Sequence, residues 1–323
     1  MATRHKVAVI GLGVIGQRML TDMPRHERLE VIGAWDLNPS ACEAARRKFP
    51  WLTIAPSAEA LIADAATDLV YIGVPPLAHG EYTLAAIAAG KAVFCEKPLG
   101  VDVAESRNLV ERVEASGLAN AVNYVFGTAH GAEAIRAALD SGEAGDVAGI
   151  DILLHFAQWP RDWQASATWL ARRQQGGFVR EVLSHYVYLV ENLLGPSEVV
   201  SATLCHPLEP EDAAETHITA QIDCGDIPVT IAGSVGGAGP EAVEFTLWGT
   251  KKSYRLTDWY RLWTSDGGPW TQAWPDASDD EIDSCMDQLD ALADMLEGKP
   301  HRLPDFRAAL SVQERIEEML GSG

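Results

Sequence analysis

The chain has 323 residues and carries 25 Lys plus Arg against 46 Asp plus Glu, a formal charge of −21. With 47% apolar and 22% charged residues it can fill real cores, which excludes a disordered or collagen-like chain and, at this length, suggests about two domains. A molecule this acidic, with no basic run longer than Arg46-Arg47-Lys48, is not expected to bind nucleic acid.

The first 120 or so residues alternate short apolar runs with helical patterns. Strands are predicted at Lys6 to Ile10, Glu30 to Trp35, Leu69 to Ile72, Ala92 to Cys95 and Asn120 to Asn123. Runs that are apolar throughout suit a parallel sheet covered on both faces. Helices are predicted at Gly13 to Met23, Pro39 to Phe49, Ser57 to Ala63, Leu77 to Ala89 and Asp102 to Ser116. Asp102 with Glu105 makes a capping-box pattern, and Gly90 and Gly117 stand where left-handed C-terminal residues belong. Repeated β-α units of this kind build a doubly wound Rossmann domain, assigned to residues 1–121.

From about residue 124 the pattern changes. After a helix at Thr128 to Leu139 come strand patterns at Val147 to Phe156, Val199 to Leu204, Thr216 to Ile222, Val229 to Ser234, Val243 to Trp248 and Ser253 to Leu256. Short polar turns such as Gly225-Asp226 join several of them, so they read as an open, mostly antiparallel sheet. Helices are predicted at Val179 to Leu194, Asp280 to Leu296 and Asp305 to Leu320, completing an α+β domain over residues 122–323.

Five scattered cysteines without a C-x-x-C pair fit a reducing compartment and argue against a disulfide framework or a zinc site, so no metal is expected. The basic start followed by Val7 to Gly16 superficially resembles a signal peptide. Three glycines in that run, Gln17-Arg18 directly after it and the lack of a small-residue cleavage site argue against that reading. No run of about 18 apolar residues occurs, no membrane partner is expected, and a cytoplasmic location is the default.

Gly11-Leu12-Gly13-Val14-Ile15-Gly16 is G-x-G-x-x-G directly after a strand and opening a helix. Such glycines make a tight turn, let a pyrophosphate approach the backbone and allow close helix packing. Twenty residues after Gly16, Asp36 ends the second strand, where a carboxylate accepts from both ribose hydroxyls and repels a 2′-phosphate, favouring NAD over NADP. A structural glycine turn followed by a surface Asp is the alternative. Val74-Pro75-Pro76-Leu77-Ala78-His79 and Glu96-Lys97-Pro98 follow strands at their carboxyl ends, the ligand edge of such a sheet. A Lys there can polarise a substrate hydroxyl or simply be an exposed turn residue.

These segments, together with a late Gly-Gly helix start bearing a His, resemble the Gfo/Idh/MocA family of glucose-fructose oxidoreductase and inositol dehydrogenase-like enzymes. Glu96-Lys97-Pro98 is the most specific of them. The resemblance implies hydride transfer between a nicotinamide and a sugar or polyol carbon. It also implies a nicotinamide cofactor contacted by Gly11, Gly13, Val14, Ile15, Gly16, Asp36, Val74, Pro75, His79, Glu96, Lys97 and Asn123.

The second catalytic segment is Gly176-Gly177-Phe178-Val179-Arg180-Glu181-Val182-Leu183-Ser184-His185. If helical from Val179, Glu181 and His185 stand i, i+4, so the carboxylate can orient the imidazole as a proton acceptor. It resembles the family's G-G-G-x-x-x-D-x-x-x-H, with Phe178 replacing the third Gly and Glu181 replacing the Asp. The resemblance implies catalytic roles for Lys97, His185 and Glu181, with His185 removing a hydroxyl proton and Lys97 stabilising the alkoxide.

Trp159-Pro160-Arg161-Asp162-Trp163 reads as a loop whose Trp159 and Trp163 indoles can pack on a sugar ring and whose Arg161 can bind hydroxyls or a carboxylate. Aromatic cover for a core edge is an equal alternative, and Asn123 is either a ligand contact or a structural turn.

The leading expectation is an NAD-dependent sugar or cyclitol dehydrogenase. An NAD-dependent glycosidase of the same family and a non-catalytic dinucleotide-bound sensor are the alternatives. An exposed apolar sheet face predicts a homodimer or homotetramer through the C-terminal sheet. Residues 1–121 hold 12 Lys plus Arg against 14 Asp plus Glu, whereas residues 122–323 hold 13 against 32. The acidity therefore belongs to the second half, which favours an uncharged substrate. Nine carboxylates between Asp276 and Glu297 read as a solvated helix face.

Overall fold

The computed structural model describes residues 4–277 and 285–321. The chain forms two compact units, Met1–Tyr124 with Cys285–Leu310, and Val125–Ser284 with Ser311–Gly323. A single cut at residue 121 lies near the first crossing and cannot express the return of residues 285–310 to the first unit.

In the first unit, β1 (His5–Ile10), β2 (Leu29–Trp35), β3 (Leu69–Ile72), β4 (Ala92–Cys95) and β5 (Asn120–Val122) form one sheet in the order β2-β1-β3-β4-β5. Every pairing is parallel. All four residues of β3 and of β4 are buried, as their unbroken apolar runs require of strands covered on both faces. The connecting helices are α1 (Val14–Asp22), α2 (Pro39–Lys48), α3 (Ala58–Ala63), α4 (His79–Ala88) and α5 (Val103–Ser116). Their ends follow local chemistry. Asn38 and Ser57 cap α2 and α3, and the Asp102 carboxylate accepts from the Glu105 amide at 2.8 Å. Gly117 ends α5 in the left-handed region. The strand order reverses between β1 and β3, and in open sheets of this kind ligands bind outside the carboxyl ends of the strands at that point.

A helix from the far end of the chain completes this core. Leu289, Leu292, Ala293 and Met295 of α8 (Cys285–Leu296) are buried in one cluster with Val7, Val9, Leu69, Tyr71 and Phe94. Each large side chain of this kind contributes roughly 1.5–3 kcal/mol on burial. The polar side of α8 is held as well. Arg28 reaches Asp294 at 2.6 Å, Asp290 at 2.8 Å and Glu297 at 3.4 Å, and the His26 ring stands 3.0 Å from Asp290. Asp290, Asp294 and Glu297 of the acidic run are thus ion-paired rather than merely solvated, because Arg28 on the approach to β2 supplies a cation that the run itself lacks. The start of the predicted helix, residues 280–284, lies outside the described residues.

The second unit holds α6 (His130–Asp140), α7 (Ser184–Leu194) and eight strands: β6 (Val147–Phe156), β7 (Glu198–Cys205), β8 (His217–Cys224), β9 (Ile227–Val235), β10 (Ala242–Gly249), β11 (Ser253–Thr257), β12 (Arg261–Ser265) and β13 (Thr271–Gln272). The sheet order is β13-β12-β11-β10-β6-β9-β8-β7. Among the described residues of this sheet only β6 and β9 pair parallel. The sequence pattern had no signal for β12 or for β13, which has two residues beyond the glycine turn at Gly267-Gly268 and pairs only with Trp263 and Thr264.

Alternation along the strands buries one face, with Ile150, Ile152, Leu154, Ile218, Ile222, Ile231 and Phe245 inward. Leu153, Val200 and Trp248 stay exposed. The closing helix α9 (Phe306–Leu320) contains the division between the units, at Leu310. No helix among the described residues is long and apolar enough to cross a membrane.

Candidate active site

The glycine loop leaves β1 through Gly11, whose φ of 101° lies in the left-handed region. A Cβ there would overlap the Gly73 carbonyl at the end of β3, so the loop and the β3 exit touch only because this residue is glycine. Gly13 serves the opposite need. It starts α1 with no side-chain cap, and a Cβ built on it meets nothing within 4 Å. Uncapped helix-start amides beside open space form a fitting cradle for a diphosphate. Val14 is exposed and Ile15 half-buried at this first turn, while Gly16 is buried.

Asp36 is tied into the same loop. Its Oδ2 accepts from the Leu12 amide at 2.7 Å and its Oδ1 from the Asn38 amide at 2.7 Å. The carboxylate therefore fixes the middle of the glycine turn and places a full negative charge beside it.

At the exits of β3 and β4, His79 is fully buried, with Nε2 2.8 Å from the Val74 carbonyl and Nδ1 2.8 Å from the Pro98 carbonyl. Burial pulls its pKa down, against the pull of those carbonyls. The neutral ring has one N–H, which it donates to one of these carbonyls while its other nitrogen faces the second, so His79 packs between the Val74-Pro75 loop and the Lys97-Pro98 loop. Glu96 is likewise directed inward: its Oε1 accepts from the Tyr71 hydroxyl at 2.7 Å and from Asn123 Nδ2 at 2.6 Å. Burial first, and the Glu96 charge second, push the Tyr71 phenol well up and keep it a donor. Lys97, half-buried, follows at the carboxyl edge of β4. Asn123 Oδ1 is buried without a hydrogen bond among the described residues, so this amide keeps one acceptor while its nitrogen holds Glu96.

In the second unit the helix predicted from Val179 begins differently. Val179–Leu183 is a π-helical turn, and regular α-helix starts only at Ser184. π-turns of this kind recur at functional sites. The longer turn puts Glu181 to His185 at just under one revolution, so the two remain on one side of the helix. Gln164 Nε2 donates to Glu181 Oε1 at 3.2 Å, and Arg161 Nε donates to Gln164 Oε1 at 3.0 Å. His185 is 5% exposed, with the ring of Trp259 at 5.5 Å and that of Phe126 at 6.4 Å, both nearly perpendicular to it.

Phe178, the departure from a third glycine, is fully buried against Phe156 at 5.8 Å and Trp159 at 6.2 Å. Gly233 on β9 makes the room, since a Cβ there would press on the Phe178 ring.

The aromatic loop divides between its two readings. Trp159 donates Nε1–H to the Leu170 carbonyl at 3.0 Å and packs on Phe156 and Phe178, which is core-edge cover. Trp163 is 50% exposed. Arg161 lies over Trp163 at 4.7 Å and pairs with Glu241 at 3.2 Å, so its charge is already met within the protein. Gln164, Trp259 and Glu215, a buried acid near Val179, had no local signal. Each meets its partner across a long stretch of chain, which periodicity and spacing do not encode.

Comparison with known proteins agrees with this architecture. Residues 5–124 match the oxidoreductase family model with an NAD-binding Rossmann fold, GFO_IDH_MocA, and residues 132–255 match the GFO/IDH/MocA C-terminal domain. Inositol 2-dehydrogenase of Paracoccus denitrificans is 40% identical over 116 residues, 35% of this chain and 34% of that enzyme. The Pseudomonas syringae inositol 2-dehydrogenase is 36% identical over 155 residues, 47% of this chain and 45% of that one. The matched stretch thus spans between about a third and a half of these relatives' own length.

An oxidoreductase from Agrobacterium radiobacter, solved in complex with NAD+, L-tartaric acid and magnesium, superposes with a TM-score of 0.85 over 99% of this chain and 96% of its own, at 19% identity. With both halves matched by the family's own domains, and with the glycine loop and Glu96-Lys97-Pro98 at the carboxyl edge of a parallel sheet, the chain belongs to the Gfo/Idh/MocA oxidoreductase family.

Proposed function

We propose that this protein is an NAD-dependent dehydrogenase acting on a hydroxyl-bearing carbon of an uncharged sugar or cyclitol. The observation that carries the reading is the carboxyl edge of the first sheet, where an uncapped α1 opens onto free space at Gly13 while β4 delivers Lys97. The family supplies the chemistry, and the inositol 2-dehydrogenases among the relatives make cyclitols the first substrates to try.

Each residue's role follows from what surrounds it. The amides of Val14 and Ile15 would hold the diphosphate, and Asp36, already fixed by Leu12 and Asn38, would accept from ribose hydroxyls. The same carboxylate opposes a 2′-phosphate, which supports NAD over NADP. His79 and Glu96 act behind this surface by holding the Val74-Pro75, Lys97-Pro98 and Asn123 turns. Lys97 stabilises the developing alkoxide, His185 accepts the hydroxyl proton, and Glu181 is steadied by Gln164. Bound NAD supplies the hydride acceptor. Trp163 offers an exposed indole face to a sugar ring. In this reading residues 1–121 serve the dinucleotide and residues 122–323 the substrate. The exposed Leu153, Val200 and Trp248 support a homodimer or homotetramer through the eight-stranded sheet.

The test is a panel of myo-inositol, other cyclitols, free sugars and nitrophenyl glycosides, with NAD and with NADP. NADH absorbance with a cyclitol or neutral sugar, and much weaker reduction of NADP, is the expected result. Nitrophenol release without NADH accumulation, or tight NAD binding with neither signal, contradicts it.

A further inference from the structure

Glu215 lies in the connection before β8, 2% exposed. Its Oε1 accepts from the Val179 amide at 2.8 Å, two residues before Glu181. Its carboxylate also lies against Gly177, whose φ is 98° and where any Cβ would overlap both carboxylate oxygens.

The same turn is gripped from its other side. Arg180 Nη1 donates to the carbonyls of Arg173 at 2.7 Å and Gly176 at 3.2 Å. Its Nε and Nη2 meet the two Glu317 oxygens at 2.6 and 2.7 Å. Ser184 Oγ then donates to the Arg180 carbonyl at 2.6 Å, at the step from π to α geometry. The Gly-Gly turn is thus held by an anion on its amide side and a cation on its carbonyl side.

The geometry points to Glu215 as a positioning residue that sets the start of the helix carrying Glu181 and His185, and does so as an anion. A neutral acceptor could satisfy the Val179 amide. An ionised carboxylate holds a helix-start N–H more strongly, and it does so beside the positive end of the helix dipole. Burial raises the Glu215 pKa to about 7, with the Val179 amide pulling the other way. The charges around it are Arg180 from the helix start, Glu317 from α9, and Arg172, Arg173 and Asp212 on the segments joined to its own. Arg180 favours the anion, and Glu317, itself paired with Arg180, opposes it. The Val179 amide and Arg180 favour the anion, so with the carboxyl still buried this one hydrogen bond weakens as pH falls through neutrality, although burial of the charge itself costs the fold at higher pH.

The role attributed to the helix rests on the dehydrogenase reading, so the deciding measurement needs no turnover. Amide hydrogen exchange of residues 176–187 is compared in wild type and Glu215→Gln, both with NAD present. At about pH 8 the variant should exchange about tenfold faster, since it has lost the ionised cap. At about pH 5.5 the two should coincide, because the native carboxyl is then neutral too. Exchange in residues 130–140 should not differ at either pH.

An equal ratio at both pH values assigns Glu215 a packing role and overturns the proposal, as does no difference at pH 8. Gly177→Ala, which pushes on the same carboxylate, should show the fast exchange without the pH dependence. A separate run with myo-inositol should show a roughly tenfold lower kcat at about pH 8 for Glu215→Gln with an unchanged KM for NAD. Failure of myo-inositol to react bears on the substrate reading and leaves the exchange result standing.

Discussion

In the proposed mechanism Lys97 and His185 have different tasks, and the proteins lacking each should fail differently from those with a damaged cofactor loop. Lys97→Ala and His185→Ala each remove a group proposed to act on the substrate hydroxyl, so kcat should fall about 100- to 1000-fold. NAD affinity should stay within about twofold in both, because the glycine loop and Asp36 are untouched. Asp36→Ala removes the anchor of the Leu12 amide together with the proposed acceptor for ribose, and should weaken NAD binding by about tenfold while narrowing the proposed preference over NADP. Fluorescence titration with both nucleotides checks this.

At this scale the sequence was most legible where backbone chemistry dictates residue type. Gly11 must adopt a positive φ, and Asp36 must end a strand next to a turn. It was least legible where a side chain finds its partner across the fold. Gln164 meets Glu181 and Glu215 meets Val179 over 17 and 36 residues of chain. His79 and Glu96 show the limit of motif reading: the positions stand out, but that both face inward is visible only in three dimensions.

Among the elements, the start of the second unit's long buried helix departs most from periodicity. An amphipathic pattern reports 3.6-residue spacing, and a five-residue π-turn inside it leaves the apolar pattern nearly intact. Phe178 and Gly233 make a related point about compensation. A ring in place of the third glycine of the segment is accommodated because β9 lacks a side chain opposite it. Gly233→Ala should therefore cost about 1–3 kcal/mol by overpacking, and Phe178→Ala about 3–5 kcal/mol by leaving a cavity. Because the new methyl would occupy part of that cavity, the double variant should be more stable than the sum of the two losses by about 1 kcal/mol. Urea unfolding of the four proteins measures the coupling. Strict additivity would mean that the two residues do not share the space.

The whole molecule carries its −21 charge unevenly, and α8 shows how a local excess is managed. Lys299 first, then Arg28 and His5, hold Glu297 below the usual carboxylate range. Burial opposes the same shift in Asp290, but its hydrogen bonds to Arg28 and His26 outweigh that and lower it. A carboxylate with a lowered folded-state pKa stabilises the fold above its unfolded value, about 4, and that contribution is lost as pH falls through the lower folded value. Arg28→Ala should thus be about 1 kcal/mol less stable than wild type at neutral pH, with the gap closing below about pH 4.

Glu215 acts with the opposite sign. Its raised value makes the folded protein the better proton binder, so its burial weakens the fold as pH rises from the ordinary carboxylate value to about 7. Both fold classes could be read from the chain, as a run of buried parallel strands followed by alternating ones. The return of α8 to the first core could not, because its apolar stripe matches any sheet face.

Hydride transfer from a substrate carbon to NAD can be followed by isotope transfer. The protein is incubated with NAD and myo-inositol deuterated at its ring carbons, and the nicotinamide product is examined by NMR. Deuterium is expected at the reduced ring carbon of NADH, with its loss in His185→Ala. Undeuterated NADH, or NAD tightly bound and never reduced by any cyclitol or neutral sugar, would contradict it.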